Sequence, residues 1–273
     1  PLRLLCKHIA FIYRISKKYI ARKTHIAGVC ANKQKENITM RDVIIACDFK
    51  DKETTLNFLK KFEGLNPYVK IGMELFYGEG PDIVREIKAM GYKVFLDLKL
   101  HDIPTTVRKA MANLARLGVD MTNVHAAGTI AMMEAAKQGL IEGANGGEVP
   151  MLLAVTQLTS TSEEVMQRDL LIPEKIENVV AHYAQNAQKA GPDGVVCSPL
   201  EAELVKKSCG MEFKTVTPGI RYPEGDKGDQ SRVTTPMKAR EIGTDFIVVG
   251  RPITAQEDPV AAYLRVRKDF LGE

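Results

Sequence analysis

Val94-Phe95-Leu96-Asp97-Leu98-Lys99-Leu100-His101-Asp102-Ile103-Pro104 is the most informative stretch of this chain. Three apolar residues open it as a buried strand would, and Pro104 closes it as a residue suited to the first turn of a helix. Side chains alternate along a strand, so Asp97 and Lys99 are expected to face one way and Leu98 the other. Opposite charges on one face at the end of a strand make a poor core. They make a good place to handle an anion and a proton.

The same unit recurs on both sides. Eight apolar runs read as strands, beginning near Val43, Tyr68, Val94, Met121, Val149, Gly194, Phe213 and Phe246, and a stretch that reads as helix follows each. Strict alternation implies a parallel sheet. Eight such units suit a single-domain (β/α)8 TIM barrel spanning residues 40–273. A doubly wound open sheet is the alternative, but no G-x-G-x-x-G follows the first strand.

Residues 1–39 differ in kind. They hold nine Lys/Arg and one acid, Glu36, so a whole-chain net charge of +4 leaves the body mildly acidic. That body offers no reason to expect nucleic-acid binding. One reading of the segment is an amphipathic targeting or membrane-surface helix. The preferred reading is a disordered appendage outside the fold, a leader or vector-derived sequence, because Met40 directly precedes the first strand. Five scattered cysteines, without a Cys-x-x-Cys pair, argue against a disulfide framework or zinc knuckle. They fit a reducing compartment, and a cytoplasmic location is expected. No apolar run approaches the length needed to cross a bilayer, so no membrane partner is expected.

Function in a barrel sits at the C-terminal strand ends. The polar residues there are Asp48, Lys70, Asp97 with Lys99, His125, Thr159, Ser198, Arg221 and Arg251. The loops after strands seven and eight commonly hold a phosphate. Here they read Thr217-Pro218-Gly219-Ile220-Arg221 and Val249-Gly250-Arg251-Pro252. Gly219 and Gly250 would let backbone approach an anion, and each arginine would grip it in a fork. The polar run from Tyr222 to Arg232 between them reads as a lid. Across the mouth, Lys70, Asp97, Lys99 and Asp102 form an alternating set of ammoniums and carboxylates that would hold its charges without a metal. Surface salt bridges and a structural ion-pair network are the plainer alternatives. His101 should point away from Asp97 and Lys99 and be structural. His125 could line the site or sit in the core.

The segment Phe95 to Val107 resembles the orotidine 5′-phosphate decarboxylase signature, Asp-x-Lys-x-x-Asp-Ile-Pro-x-Thr. The likeness extends over roughly 41–270 and is closest to the short, bacterial-type branch. Asp48, Lys70, the Pro218-Gly219-Ile220-Arg221 run, Gln230 and the Val249-Gly250-Arg251-Pro252 run fall in matching order, while residues 1–39 have no counterpart. The resemblance implies decarboxylation of orotidine 5′-monophosphate to UMP without a cofactor or metal. Lys99 would stabilise and protonate the C6 carbanion. Asp97 would sit beside the departing carboxylate and hold Lys99. Lys70 would link Asp97 to the ribose hydroxyls, and Asp48 would bind the ribose. Thr159 would meet the pyrimidine, and Gln230 would close over the phosphate with Arg221, Gly250 and Arg251. The active form would be a homodimer in which Asp102, Ile103 and Thr106 serve the partner's substrate.

The nearest alternative enzymes, Mg²⁺-dependent sugar-phosphate decarboxylases and synthases of similar fold, place an acidic ligand at the end of strand two. Lys70 stands there and would repel the metal. A non-catalytic phosphate-binding barrel is the alternative from another class, and it would not need Lys99.

Overall fold

The computed structural model describes residues 41–223 and 233–273. Segment 1–39, Gln230 and most of the polar run after Tyr222 lie outside the described residues. Eight parallel strands close in chain order: β1 (Asp42–Ala46), β2 (Tyr68–Gly72), β3 (Val94–Leu100), β4 (Met121–His125), β5 (Met151–Val155), β6 (Gly194–Val196), β7 (Lys214–Thr217) and β8 (Phe246–Val249), with β8 pairing β1. The expected (β/α)8 barrel is therefore observed.

Strand parity divides the core in two. Ile44, Tyr68, Phe95, Met121, Leu153, Val216 and Phe246 fill the barrel interior. Val43, Val69, Leu96, Val124 and Ile247 face the surrounding helices. A period of two then points Lys70, Asp97 and Asn123 inward, one step above Tyr68, Phe95 and Met121. The barrel is thus apolar below and charged at its C-terminal mouth.

Several helices begin at side-chain caps that satisfy free N–H groups. Asp51 accepts from Thr54, Ser162 from Val165, and Thr235 from Lys238. Three short helices were not expected: Met73–Glu79, Glu163–Asp169 and Arg251–Thr254. All lie beyond the C-terminal ends of strands. The helix Pro104–Arg116, which carries Thr106, packs backbone to backbone on Thr129–Ala144. A Cβ at Gly139 or Gly143 would fall 2.1 Å from the Arg108 carbonyl oxygen or 2.2 Å from that of Ala112.

The opposite, N-terminal end is held by a repeated clamp. Gly118-Val119-Asp120, Gly191-Pro192-Asp193 and Gly243-Thr244-Asp245 lead into β4, β6 and β8. In each, the aspartate accepts a backbone N–H from the preceding strand: Val94 at 2.7 Å, Leu152 at 2.8 Å and Thr215 at 2.8 Å. A lysine from the helix before that strand reaches the same carboxylate: Lys88 at 2.6 Å, Lys137 at 2.7 Å and Lys206 at 2.6 Å.

Candidate active site

Four charged side chains form a line at the mouth. Lys70 Nζ lies 2.9 Å from Asp48 Oδ1 and 3.5 Å from Asp97 Oδ2, and Lys99 Nζ lies 2.7 Å from Asp97 Oδ1. Within one chain, Asp48 is the second carboxylate of the line. Gly72 leaves room for this pairing, since a Cβ there would come within 3.2 Å of Asp48 Oδ1 and 3.3 Å of Lys70 Nζ.

The array holds its own charge states. Burial opposes ionisation of Asp97, which is only 8 % exposed, but Lys70 and Lys99 outweigh it and hold its carboxyl below the usual range. Burial also opposes the charge on Lys70, yet Asp97 and Asp48 keep its pKa above the ordinary lysine value. The contacts of the buried Asp97 are worth on the order of 4 kcal/mol at an effective dielectric near 20, before desolvation is subtracted, while solvent screens the contact of the exposed Asp48 to much less.

Asp97 and Lys99 share a face, though not through regular alternation. The β3–β4 register runs Leu96↔Thr122 and then Leu100↔Val124, so β3 carries two surplus residues between these pairs. Lys99 sits within this bulge at φ 50°, a left-handed conformation that costs a residue with a Cβ roughly 1–2 kcal/mol. Side chains of β4 fill the gap in the ladder. Thr122 Oγ1 donates to the Leu96 carbonyl at 3.0 Å. Asn123 Oδ1 accepts the Lys99 backbone N–H at 2.8 Å, while Asn123 Nδ2 donates to Asp97 Oδ1 at 2.7 Å. Asn123, fully buried inside its strand, was not singled out from sequence.

Beside the array lies a cavity of about 210 Å³. Lys70, Asp97 and Lys99 form its charged wall, and Phe95, Val155, Val196, Pro218 and Val248 its apolar walls. Thr159 lines it as expected, and Gln157, which had drawn no proposal, lines it too. A flat, partly polar ring fits this space with one edge toward the lysines.

The loops after β7 and β8 leave adjacent strands at the same end. Gly219 has φ 82°, as a left-handed turn requires. Gly250 has φ −100° and ψ −110°, and a Cβ there would meet only Ala46 at an ordinary 3.7 Å, so the space beside this backbone is open. Arg221 N donates to the Thr234 carbonyl at 2.9 Å and Thr234 N to the Gly219 carbonyl at 3.1 Å, tying the two ends of the polar run together. Tyr222 anchors its start: its hydroxyl donates to Asp269 at 2.7 Å and the Arg265 guanidinium stacks 3.9 Å above its ring. Arg251 opens its helix at the surface, beyond β8.

Other expected residues fall elsewhere. Asp102, Ile103 and Thr106 are exposed on the turn and helix after β3. Asp102 accepts the Ile103 N–H at 2.6 Å and forms no ion pair with Lys70 or Lys99. Ser198 is buried and spent on a capping box with Glu201, which removes it from the mouth. The bulge also undoes the simple parity of His101, whose ring packs 5.8 Å from that of His125. Burial, then His101 and Lys99, depress the His125 pKa, so its imidazole is neutral at pH 7. Among the described residues, no three His, Cys, Asp or Glu side chains stand together as a metal site would need, and no helix is long and apolar enough to cross a membrane.

Residues 41–266 match the model of the Orotidine 5'-phosphate decarboxylase / HUMPS family. An orotidine 5'-phosphate decarboxylase of Enterococcus faecalis is 58% identical over 231 residues, covering 83% of this chain and 97% of the relative. One of Bacillus cereus is 53% identical over 233 residues, covering 85% and 98%. The crystal structure of the Lactobacillus acidophilus orotidine 5'-phosphate decarboxylase is similar at a TM-score of 0.76 and 44% identity, covering 84% of this chain and 99% of that one.

Proposed function

Because the chain belongs to the orotidine 5′-phosphate decarboxylase / HUMPS family, we infer that it converts orotidine 5′-monophosphate to UMP and carbon dioxide, a step of pyrimidine biosynthesis. The observation that carries this reading is the unbroken line Asp48–Lys70–Asp97–Lys99 beside a cavity of nucleobase size. Lys70 at the end of β2 puts a cation where the metal-dependent alternative needs an acidic ligand, which supports a reaction without metal or other cofactor.

The substrate's C6–carboxylate bond breaks, carbon dioxide leaves, and the electron pair stays on C6. No carbonyl adjoins C6 to receive that charge directly, so a preorganised cation must stabilise it. The Lys99 ammonium, held by Asp97, supplies the charge and then the proton that completes UMP; the neutral amine recovers a proton from solvent. Asp97 stands beside the departing carboxylate and keeps Lys99 aimed. Lys70 and Asp48 take the ribose hydroxyls. Thr159 meets the pyrimidine, and Arg221, Gly250, Arg251 and Gln230 take the phosphate, whose binding energy helps expel water.

The same reading makes the active form a homodimer. Asp102, Ile103 and Thr106 turn outward, Ile103 with 67 % of its surface exposed, which suits residues that complete a partner's site. Three buried free thiols, Cys47, Cys197 and Cys209, support a reducing, cytoplasmic setting. The direct assay is the fall in absorbance when purified protein meets orotidine 5′-monophosphate in excess EDTA. Turnover is expected; strict dependence on Mg²⁺ would transfer the chain to the metal-dependent side of its family.

A further inference from the structure

We propose that Asn123 is a positioning residue that sets the Lys99 ammonium and the Asp97 carboxylate in register through one carboxamide. The proposal rests on the decarboxylase reading above and adds a residue to it.

The amide is fully buried on β4, and both of its ends are engaged by the reacting pair. Its Nδ2 occupies Asp97 Oδ1, the oxygen that also receives Lys99 Nζ. Its Oδ1 takes the Lys99 backbone N–H inside the bulge, where the ladder offers no carbonyl. One rigid group therefore fixes the rotamer of the carboxylate and the height of the residue that bears the ammonium. A buried polar side chain needs partners. Asn123 finds two, and both belong to the same pair.

Among short side chains, only the asparagine carboxamide sets an acceptor and a donor side by side on one planar group. Leucine or valine would leave the Lys99 N–H without an acceptor. Serine is too short to span both partners. Aspartate would keep the acceptor but replace the donor with a second carboxylate facing Asp97. The titratable groups around this position are Asp97 and Lys99 of β3, Lys70 of β2 through Asp97, and His125 of β4 together with His101. On the other side β5 pairs it with Leu153, which does not titrate.

Two variants test the proposal. In Asn123→Ala, kcat for orotidine 5′-monophosphate should fall about 100-fold, the scale of a reacting group misplaced by about 1 Å. KM and UMP affinity should stay near the parent values, because ribose and phosphate are held elsewhere. In Asn123→Asp, two carboxylates face each other and one pKa rises. The kcat profile should then fall as pH rises through that value, because the protonated carboxyl still donates to Asp97 as the amide does and its anion cannot; a purely structural loss would not produce this. If Asn123→Ala does not fold, the near-isosteric Asn123→Asp carries the test alone. A folded Asn123→Ala with parent kcat, or Asn123→Asp with the parent pH profile, overturns the proposal. Wild-type protein that fails to turn over the substrate defeats the functional reading instead. The ¹⁵N signal of the Lys99 ammonium then decides the positioning claim: a shift in Asn123→Ala upholds it and an unmoved signal overturns it.

Discussion

The two ends of the barrel use the same chemistry for opposite purposes. At the floor, Lys206 and Asp245 are buried to 5% and 4% exposure, and all three protons of the Lys206 ammonium have acceptors. Lys206 Nζ donates to Asp245 and to the carbonyls of Met211 and Phe213, and Asp245 accepts from the Thr215 backbone and hydroxyl. At the mouth, Lys99 has Asp97 for its carboxylate, sits in left-handed backbone and faces a cavity. A closed ion pair fixes the spacing of strands. An open one, held under strain by neighbours such as Asn123, keeps an ammonium available to something else.

The comparison breaks if the two ends respond alike to losing a charge. The largest effect is expected at the mouth. Lys70→Ala leaves Asp97 with one cation and should lower kcat by about 10²–10³-fold. Its urea midpoint should fall less than that of Lys206→Ala, because Asp97 keeps Lys99 and Asn123 and Asp48 is open to solvent; steady-state kinetics and denaturation of one preparation read both. Lys206→Ala should do the reverse. Loss of its close partner, which leaves the buried Asp245 only Lys214 at 3.8 Å as a cation, should cost up to about 3–5 kcal/mol of stability by denaturant titration, while kcat of the folded fraction stays unchanged.

The smallest effect concerns pH. Asp97 is depressed from 3.8, so its contribution to stability is full above the ordinary carboxylate range and is lost as pH falls through the lower folded value. Lys70 is raised from 10.5, so its contribution is full below that value and is lost as pH rises through the higher folded one. The array should therefore add no slope to stability or kcat between those limits. A midpoint that drifts steadily above pH 7, clear of the depressed His125, would show that Asp97 or Lys70 titrates there.

Much of this division was readable in the chain. Period-two alternation placed Phe95 and Asp97 on one face, and eight repeats of strand and helix led to the barrel and hence to the chemistry at its C-terminal end. Lys99 joined Asp97 as expected, but through a bulge that no glycine announces. Asn123 went unnoticed because asparagine within a strand carries no periodic signal; its role depends on a gap in the neighbouring ladder. Asp102, three residues from Lys99, forms no ion pair with it within the chain, whereas Asp48, 51 residues away, reaches Lys70 across the β1–β2 pair. The Gly-x-Asp clamps were also missed, since their lysines come from helices far off in sequence. The short helices at the mouth contain too few turns for apolar periodicity to mark them.

The central claim is that Lys99 is the cation and proton donor of the reaction. It is tested most directly by kcat of Lys99→Ala at saturating orotidine 5′-monophosphate in EDTA, beside the parent. Loss of about 10⁴-fold or more, with UMP still bound and the melting temperature kept, is the predicted result. Turnover at the parent rate would contradict it.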